Sequence, residues 1–348
     1  EGRFLPFLMR LTVWLAQTVH GDGGELHLNN ADKWRWQALC AAKENCLAPN
    51  CRFCSGHCFV QKSRAAAQNA DLLILNHSLL LANAALEKGF LPPLPYLIVD
   101  EAHHLEKTAE SQFTATVDFY EILALLGRLE RKDRGKKSGL LHHIDQEALL
   151  LMDGSLSKQK YEERLERVEA GIRETARSAD TLFRQLQTSY LQRAARNGYM
   201  PATIRIDGLL REEEIWYNIE ELALPFGHSL KALGDALYHL WELLALAEEN
   251  GNGQKLESKD QLKGISSLLR MFSDTLTTIL NSDIHEYVVW LEFFAADKFP
   301  VLKMAPLELG EAIQSALFLD KEAVVLTSAT LTTGAADFRF FKRQVGLD

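Results

Sequence analysis

The chain has no cysteine outside one short stretch, no apolar run long enough to cross a bilayer, and no excess of positive charge. Each absence closes something off. The five cysteines, Cys40, Cys46, Cys51, Cys54 and Cys58, all fall within residues 40–58. A disulfide framework would scatter them to staple distant loops, and no signal-peptide pattern argues for secretion. The most apolar stretch, residues 72–86, is interrupted by Asn76, His77, Ser78 and Asn83. The expectation is therefore a soluble, cytoplasmic protein with no membrane partner. A formal net charge of −9 does not advertise a nucleic-acid binder, although a local basic channel can sit on an acidic protein. A phosphate loop ending in Gly-Lys-Thr/Ser is also missing. Gly135-Lys136-Lys137-Ser138 lacks the preceding glycine and reads as a polar loop between helices.

Among the features present, the most informative is the junction of Tyr96-Leu97-Ile98-Val99 with Asp100-Glu101-Ala102-His103. A β-rich run ending in adjacent carboxylates is how a parallel strand delivers acids to the carboxyl edge of an α/β sheet. Two such side chains suit nucleotide hydrolysis: one holds Mg²⁺, usually through water, and its neighbour polarises the attacking water. The plainer reading is an acidic cap on the following helix.

The cysteines are spaced by four residues between Cys46 and Cys51, two between Cys51 and Cys54, and three between Cys54 and Cys58. Loops this short let several sulfurs converge on one metal centre, either Zn²⁺ or an iron–sulfur cluster. Local spacing favours Cys54 as a ligand, and His57 could serve zinc. Buried thiols are the bland alternative, but Asn50, Arg52 and Ser55 make the loop polar.

At 348 residues the chain exceeds a usual single core, so two or three domains are expected. A helix over 4–20 ends in Gly21-Asp22-Gly23-Gly24. A helix over 61–70, a short buried strand over 71–76 and a helix over 78–86 lead to the carboxylate strand, which is α/β grammar. From about Val117 the grammar turns helical. Three apolar seams follow: one from Tyr161 to Tyr190, one from Phe226 to Leu244, and one from Leu262 to Ile279. They predict an antiparallel bundle or hairpin; none carries an inward Glu-x-x-His pair, so core packing is preferred to a cofactor site. Strands return over 287–294, 301–304 and 323–326, the last running into Thr327-Ser328-Ala329-Thr330-Leu331. The helical block reads as an insertion in an α/β domain whose sheet then resumes. A Ser/Thr turn at a strand end can sense phosphate, or can be a simple strand-to-helix turn.

A strand ending in DEAH, a strand ending in SAT and a cysteine cluster upstream together resemble the iron–sulfur superfamily 2 DNA helicases of the DinG/XPD type, bacterial DinG-like helicases above all. The similar stretches are Asn45-Cys46-Leu47 through Cys51, Cys58-Phe59 with Arg64, the run Ala70-Asp71-Leu72-Leu73-Ile74-Leu75-Asn76-His77-Ser78-Leu79-Leu80, the DEAH strand, Tyr287-Val288-Val289-Trp290-Leu291-Glu292, and Leu326-Thr327-Ser328-Ala329-Thr330-Leu331. The resemblance covers nearly the whole chain.

The resemblance implies an α/β fold: an incomplete RecA-like motor domain with a cysteine insertion and a large all-helical arch. Residues 1–29 would be a helical lead-in, 30–70 the cluster domain, 71–107 and 284–348 motor segments, and 108–283 the arch. It implies ATP and Mg²⁺ at Asp100 and Glu101. His103, Ser328 and Thr330 would link the nucleotide state to strand separation. It further implies a [4Fe–4S] cluster on Cys46, Cys51, Cys58 and a fourth ligand, which family matching places upstream of Glu1. Cys54 or Cys40 could stand in for it here.

Travel would be 5′→3′ on single-stranded DNA at junctions with duplex, in DNA repair. Lys62, Arg64 and Arg35, with Lys33, are candidates to grip the backbone, and Trp34, Trp36, Phe53 and Phe59 to stack on bases or, more commonly, to pack. Residues 128–137 carry six basic and two acidic side chains, read as a solvated loop or a DNA contact. Without a phosphate loop or second motor domain, the chain is expected to be the central portion of a longer helicase, inactive by itself. The alternative is a non-catalytic metal-binding module of helicase ancestry that binds DNA or a partner.

Overall fold

Apolar residues four apart open the structure: Phe7 and Leu11 share one face of helix α1 (Leu5–Gln17) and are buried with Leu26, with Trp14, Leu28 and Trp36 packed around them. This computed structural model describes residues 4–347 apart from 38, 40–50, 52, 55, 87–88, 134–135, 152–154, 195–199, 251–255, 257 and 333–336. It divides into two units, Glu1–Ile74 with Phe90–Pro92, and Leu75–Gly89 with Pro93–Asp348.

In the first unit, α1 is followed by a short 3-10 turn, α2 (Asn30–Gln37) and α3 (Phe59–Gln68). Trp14 meets Trp36 edge-on at 5.3 Å and Phe59 at 6.4 Å, tying the three helices together. Asp32 is buried, and its carboxylate accepts from Arg10, Arg35 and Asn29, so the anion is fully compensated. The strand expected over 71–76 is not formed: Leu72 and Ile74 are 78% and 91% exposed, and among the described residues no strand pairs with them to take the backbone groups.

The second unit begins with α4 (His77–Ala84), β1 (Tyr96–Val99), α5 (Leu105–Phe113), β2 (Ala115–Val117) and α6 (Phe119–Leu129). A hairpin of β3 (Arg131–Asp133) and β4 (Lys136–Ser138) precedes α7 (Leu140–Leu151), α8 (Ser155–Ala194), β5 (Ala202–Ile206), α9 (Gly208–Arg211), α10 (Glu214–Asn250) and α11 (Lys259–Asn281). The chain continues through β6 (Tyr287–Phe293), β7 (Val301–Pro306), α12 (Leu309–Leu317), β8 (Ala323–Leu326) and α13 (Arg339–Val345).

Each of the three seams is buried in one helical core, on α8, α10 and α11. Glycines let α10 and α11 approach closely: Ser266 Oγ donates to the Gly234 carbonyl at 2.7 Å and Ser273 Oγ to that of Gly227 at 2.9 Å. Both pairs are seven residues apart, two turns along one face.

Two expectations are corrected. Strands over 287–294 and 301–304 do not resume the carboxylate sheet. As β6 and β7 they pair antiparallel in the order β2-β7-β6-β5, and Val289, Leu291, Phe293, Leu302 and Met304 close the helical core. The period-two buried face of β6, with Leu302 and Met304 of β7 beside it, needs an apolar partner, and the helical seams supply it. Nor is 108–283 all helical, since β2, β3, β4 and β5 lie within it. Among the described strands, it is β8 that rejoins β1, as a parallel pair. Beneath that pair lies a smaller core in which Leu80 and Leu81 of α4, Leu105 and Ala109 of α5, Ile313 and Leu317 of α12 and Val345 are buried. No helix among the described residues is long and apolar enough to cross a membrane.

Candidate functional site

The parallel pairing of β1 and β8 sets Val99 beside Leu326, so both strands end at the same level. The ladder runs on past them: Thr327 N–H donates to the Val99 carbonyl at 2.9 Å, and Ala102 N–H to the Thr327 carbonyl at 3.0 Å. Asp100-Glu101-Ala102-His103 and Thr327-Ser328-Ala329-Thr330 are thereby joined edge to edge. Tyr96 Oη donates to Glu322 Oε2 at 2.6 Å at the opposite end of the pair, and that bond raises the phenol pKa above its ordinary value.

Where β1 ends, the backbone turns sharply. Glu101 has φ +48° and ψ +45°, the left-handed region that non-glycine residues seldom enter. Ala102 and Leu105 are both fully buried, Leu105 in the small core, and they anchor the next turn, while Asp100 and Glu101 stay exposed. A non-glycine residue held there by its surroundings is the kind of strain that clusters at working sites.

The side chains converge as well. His103 Nδ1 is 2.7 Å from Ser328 Oγ and 3.2 Å from Glu101 Oε2, and Ser328 Oγ lies 3.4 Å from the same carboxylate oxygen. Thr330 N–H donates to Ser328 Oγ at 3.3 Å. The Glu101 side chain remains 58% exposed, so the carboxylate is oriented and yet open to a water. Asp100 Oδ1 accepts from Glu101 N–H at 2.9 Å. The arrangement can do two things: orient a water beside Glu101, and pass a change at Glu101 to the Ser328 turn through hydrogen bonds. Sequence reasoning passed over His77, whose Nε2 donates to the Asp100 carbonyl at 2.9 Å. The available signal was its place directly after Asn76, the cap of α4, whose Oδ1 accepts from Leu79 N–H at 2.8 Å.

In the other unit, Cys51, Cys54 and Cys58 are half-buried thiols. A local turn links them: Cys54 N–H donates to the Cys51 carbonyl at 2.9 Å, His57 N–H to that of Phe53 at 3.1 Å, and Cys58 precedes α3. Cys40 and Cys46 lie outside the described residues. Among the described residues no three His, Cys, Asp or Glu side chains converge as a metal would require. The thiol chemistry suits a soft metal centre, but the described geometry does not assemble one.

Lys62 and Arg64 are exposed on α3, set over the rings of Phe59 at 5.7 Å and Phe90 at 5.5 Å. Arg35 differs. It is paired with buried Asp32 at 2.7 Å, lies over the Phe4 ring at 4.5 Å, and its side chain is only 18% exposed. Trp36 is packed on Trp14, Phe53 is half-exposed, and the Trp34 side chain lies outside the described residues. In the basic run 128–137, read as a solvated loop or a DNA contact, Arg128 and Leu129 end α6 and Arg131–Asp133 pairs with Lys136–Ser138 as the β3–β4 hairpin. Its Lys137 is 2.7 Å from Glu169, a hydrogen bond that holds the ammonium pKa above its ordinary value.

No family model matches the chain. It is similar to the curated protein 3′-5′ exonuclease DinG of Bacillus subtilis (strain 168), 27% identical over 97% of this chain and 35% of that protein. To ATP-dependent helicase DinG of Mycobacterium tuberculosis (strain H37Rv) it is 38% identical over 28% of the chain and 15% of that protein. To ATP-dependent DNA helicase YoaA of Escherichia coli (strain K12) it is 32% identical over 35% of the chain and 20% of that protein. The resemblance to DinG-like helicases is borne out by these relatives. The chain spans about a third of the length of the Bacillus relative.

Proposed function

We propose that this chain supplies the water-orienting part of an ATP-dependent DNA helicase. The observation that carries this reading is the convergence of Glu101, His103 and Ser328 at the shared end of β1 and β8. An acid that orients water and a hydroxyl turn that feels its position are what coupling hydrolysis to movement requires.

In the working protein Asp100 would hold Mg²⁺, which would neutralise charge on the phosphates, and Glu101 would orient the attacking water. His103 with the Ser328–Thr330 turn would carry the nucleotide state outward. The sequence contains no phosphate loop, so ATP grip comes from elsewhere in a longer protein, and this chain alone does not turn ATP over. The substrate is single-stranded DNA at a junction with duplex, travel is 5′→3′, and the setting is DNA repair in the cytoplasm. Lys62 and Arg64 contact the DNA backbone, with Arg35 contributing mainly by holding α2 in place. Residues 30–70 form a cluster domain in which Cys46, Cys51, Cys58 and either Cys54 or Cys40 hold a [4Fe–4S] centre. Residues 108–283 form the arch.

The missing phosphate loop favours a second reading, a metal-binding module of helicase ancestry that binds DNA or a partner without catalysis. One experiment separates the two. In the longer protein, Glu101→Gln should abolish DNA-stimulated ATP turnover and leave nucleotide binding largely intact. Full activity in that variant rules out the role given to Glu101, and no turnover by the parent supports the module.

A further inference from the structure

The peptide unit joining Asp100 to Glu101 is held at both ends. Its N–H donates to Asp100 Oδ1 at 2.9 Å, and its carbonyl accepts from His77 Nε2 at 2.9 Å. A carbonyl oxygen only accepts, so Nε2 carries the proton. A peptide is planar, so tethering its N–H and its C=O together fixes ψ of Asp100 and φ of Glu101 in one step. That φ is +48°, and a glutamate left to itself relaxes to negative φ.

His77 is well placed to impose this. It is the first residue of α4, whose start is fixed by Asn76 and whose Leu80 and Leu81 are buried with Leu105 and Ala109 from α5. The imidazole therefore projects from a packed helix onto an exposed turn. The Asp100 carboxylate, by contrast, sits on the turn it is bonded to. Of the two ties, His77 alone connects the turn to a separate element.

We propose that His77 is a positioning residue for Glu101: by holding the Asp100 carbonyl it keeps the Glu101 backbone left-handed and its carboxylate beside His103 and Ser328. This rests on the reading of Glu101 as the residue that orients water. Without His77 the turn relaxes, the carboxylate swings away, and turnover falls while nucleotide binding, which His77 does not touch, is retained.

The test uses the longer ATP-hydrolysing protein and compares His77→Ala, His77→Gln, Glu101→Gln and the His77→Ala/Glu101→Gln double variant. His77→Ala should lower kcat roughly tenfold and leave KM for ATP within about twofold. His77→Gln, which keeps a donor, should recover part of the loss. Read on the residual single-turnover rate that Glu101→Gln leaves, the double variant should be no slower than Glu101→Gln alone, because both changes act on one group. An unchanged kcat in His77→Ala, a rise in KM alone, or additive losses in the double variant would each overturn the proposal.

Amide hydrogen exchange over residues 96–105 supplies a readout independent of activity. His77→Ala should speed exchange there with the melting temperature unchanged, and unaltered exchange overturns the proposal. If the parent hydrolyses no ATP, the functional reading fails on that ground, and the exchange result still decides whether His77 holds the turn.

Discussion

His103 Nδ1 lies 2.7 Å from Ser328 Oγ across a separation of 225 residues in sequence. Between them lies the entire helical block, which leaves from one end of β1 and returns at β8. Parallel pairing of those two strands is what makes the contact. One hydroxyl then faces both the imidazole and the Glu101 carboxylate, so a movement of either is felt by the turn that bears it.

Ser328→Ala removes that hydroxyl at a partly exposed position. The cost in stability should be small, about 0.5–1.5 kcal/mol by the usual worth of a hydrogen bond. The effect on coupling should be larger. In the longer protein, stimulation of ATP turnover by single-stranded DNA should fall while affinity for ATP holds. Steady-state assays with and without oligonucleotide measure this, and stimulation equal to the parent's would count against the link.

A cluster domain at residues 30–70 makes a prediction about metal. The longer protein, purified without oxygen, should be brown, with broad visible absorbance that is lost in Cys58→Ala. Stoichiometric zinc without iron under those conditions would replace the iron–sulfur reading with a zinc site.

DNA contact beside the cysteine loop should show in charge reversal. The chain should bind single-stranded oligonucleotide weakly, with affinity falling steeply as salt rises. Reversal at Lys62 and Arg64, both exposed, should weaken binding more than reversal at Lys136 and Lys137, since Lys137 is already engaged by Glu169. Fluorescence anisotropy at two salt concentrations distinguishes the pairs. Equal binding by both variants and the parent would remove this surface from the DNA path.

Two glycines should respond in opposite senses. A Cβ at Gly234 would lie 3.0 Å from Arg270 Cγ and 3.1 Å from the Ser266 carbonyl, where α10 and α11 meet. Gly234→Ala should destabilise by roughly 1–3 kcal/mol, as overpacking does. Gly127, exposed on α6, has nothing within 4 Å of the same added atom. Gly127→Ala should stabilise by about 0.5–1 kcal/mol through helix propensity. Thermal and urea unfolding would measure both, and a shift of the same sign in the two variants would contradict the packing described for α10 and α11.

Much of the helical block was legible because a helical seam is a local record. Leu230, Leu233, Leu237, Leu240 and Leu244 recur at three and four, and all are fully buried. The run 71–76 misled for the complementary reason. Its apolar residues suit a strand, but a strand exists only where another backbone pairs with it, and none does among the described residues. Arg35 looked like Lys62 and Arg64 in composition and differs only because buried Asp32 sits one turn before it.

The sequence by itself determined the local chemistry: carboxylates at the end of an apolar strand, hydroxyls at the end of another, cysteines confined to one loop, and apolar stripes at helical spacing. Tertiary structure decided the partners. A period-two pattern states which face of β6 is buried, yet not that β7 and β5 flank it, nor that among the described strands it is β8 that pairs with β1. Backbone groups are alike in every strand, so pairing is chosen by which apolar faces can be buried together. The same holds at the candidate site. His77 and Ser328 reach the turn at Glu101 only because packed helices and a parallel strand bring them there.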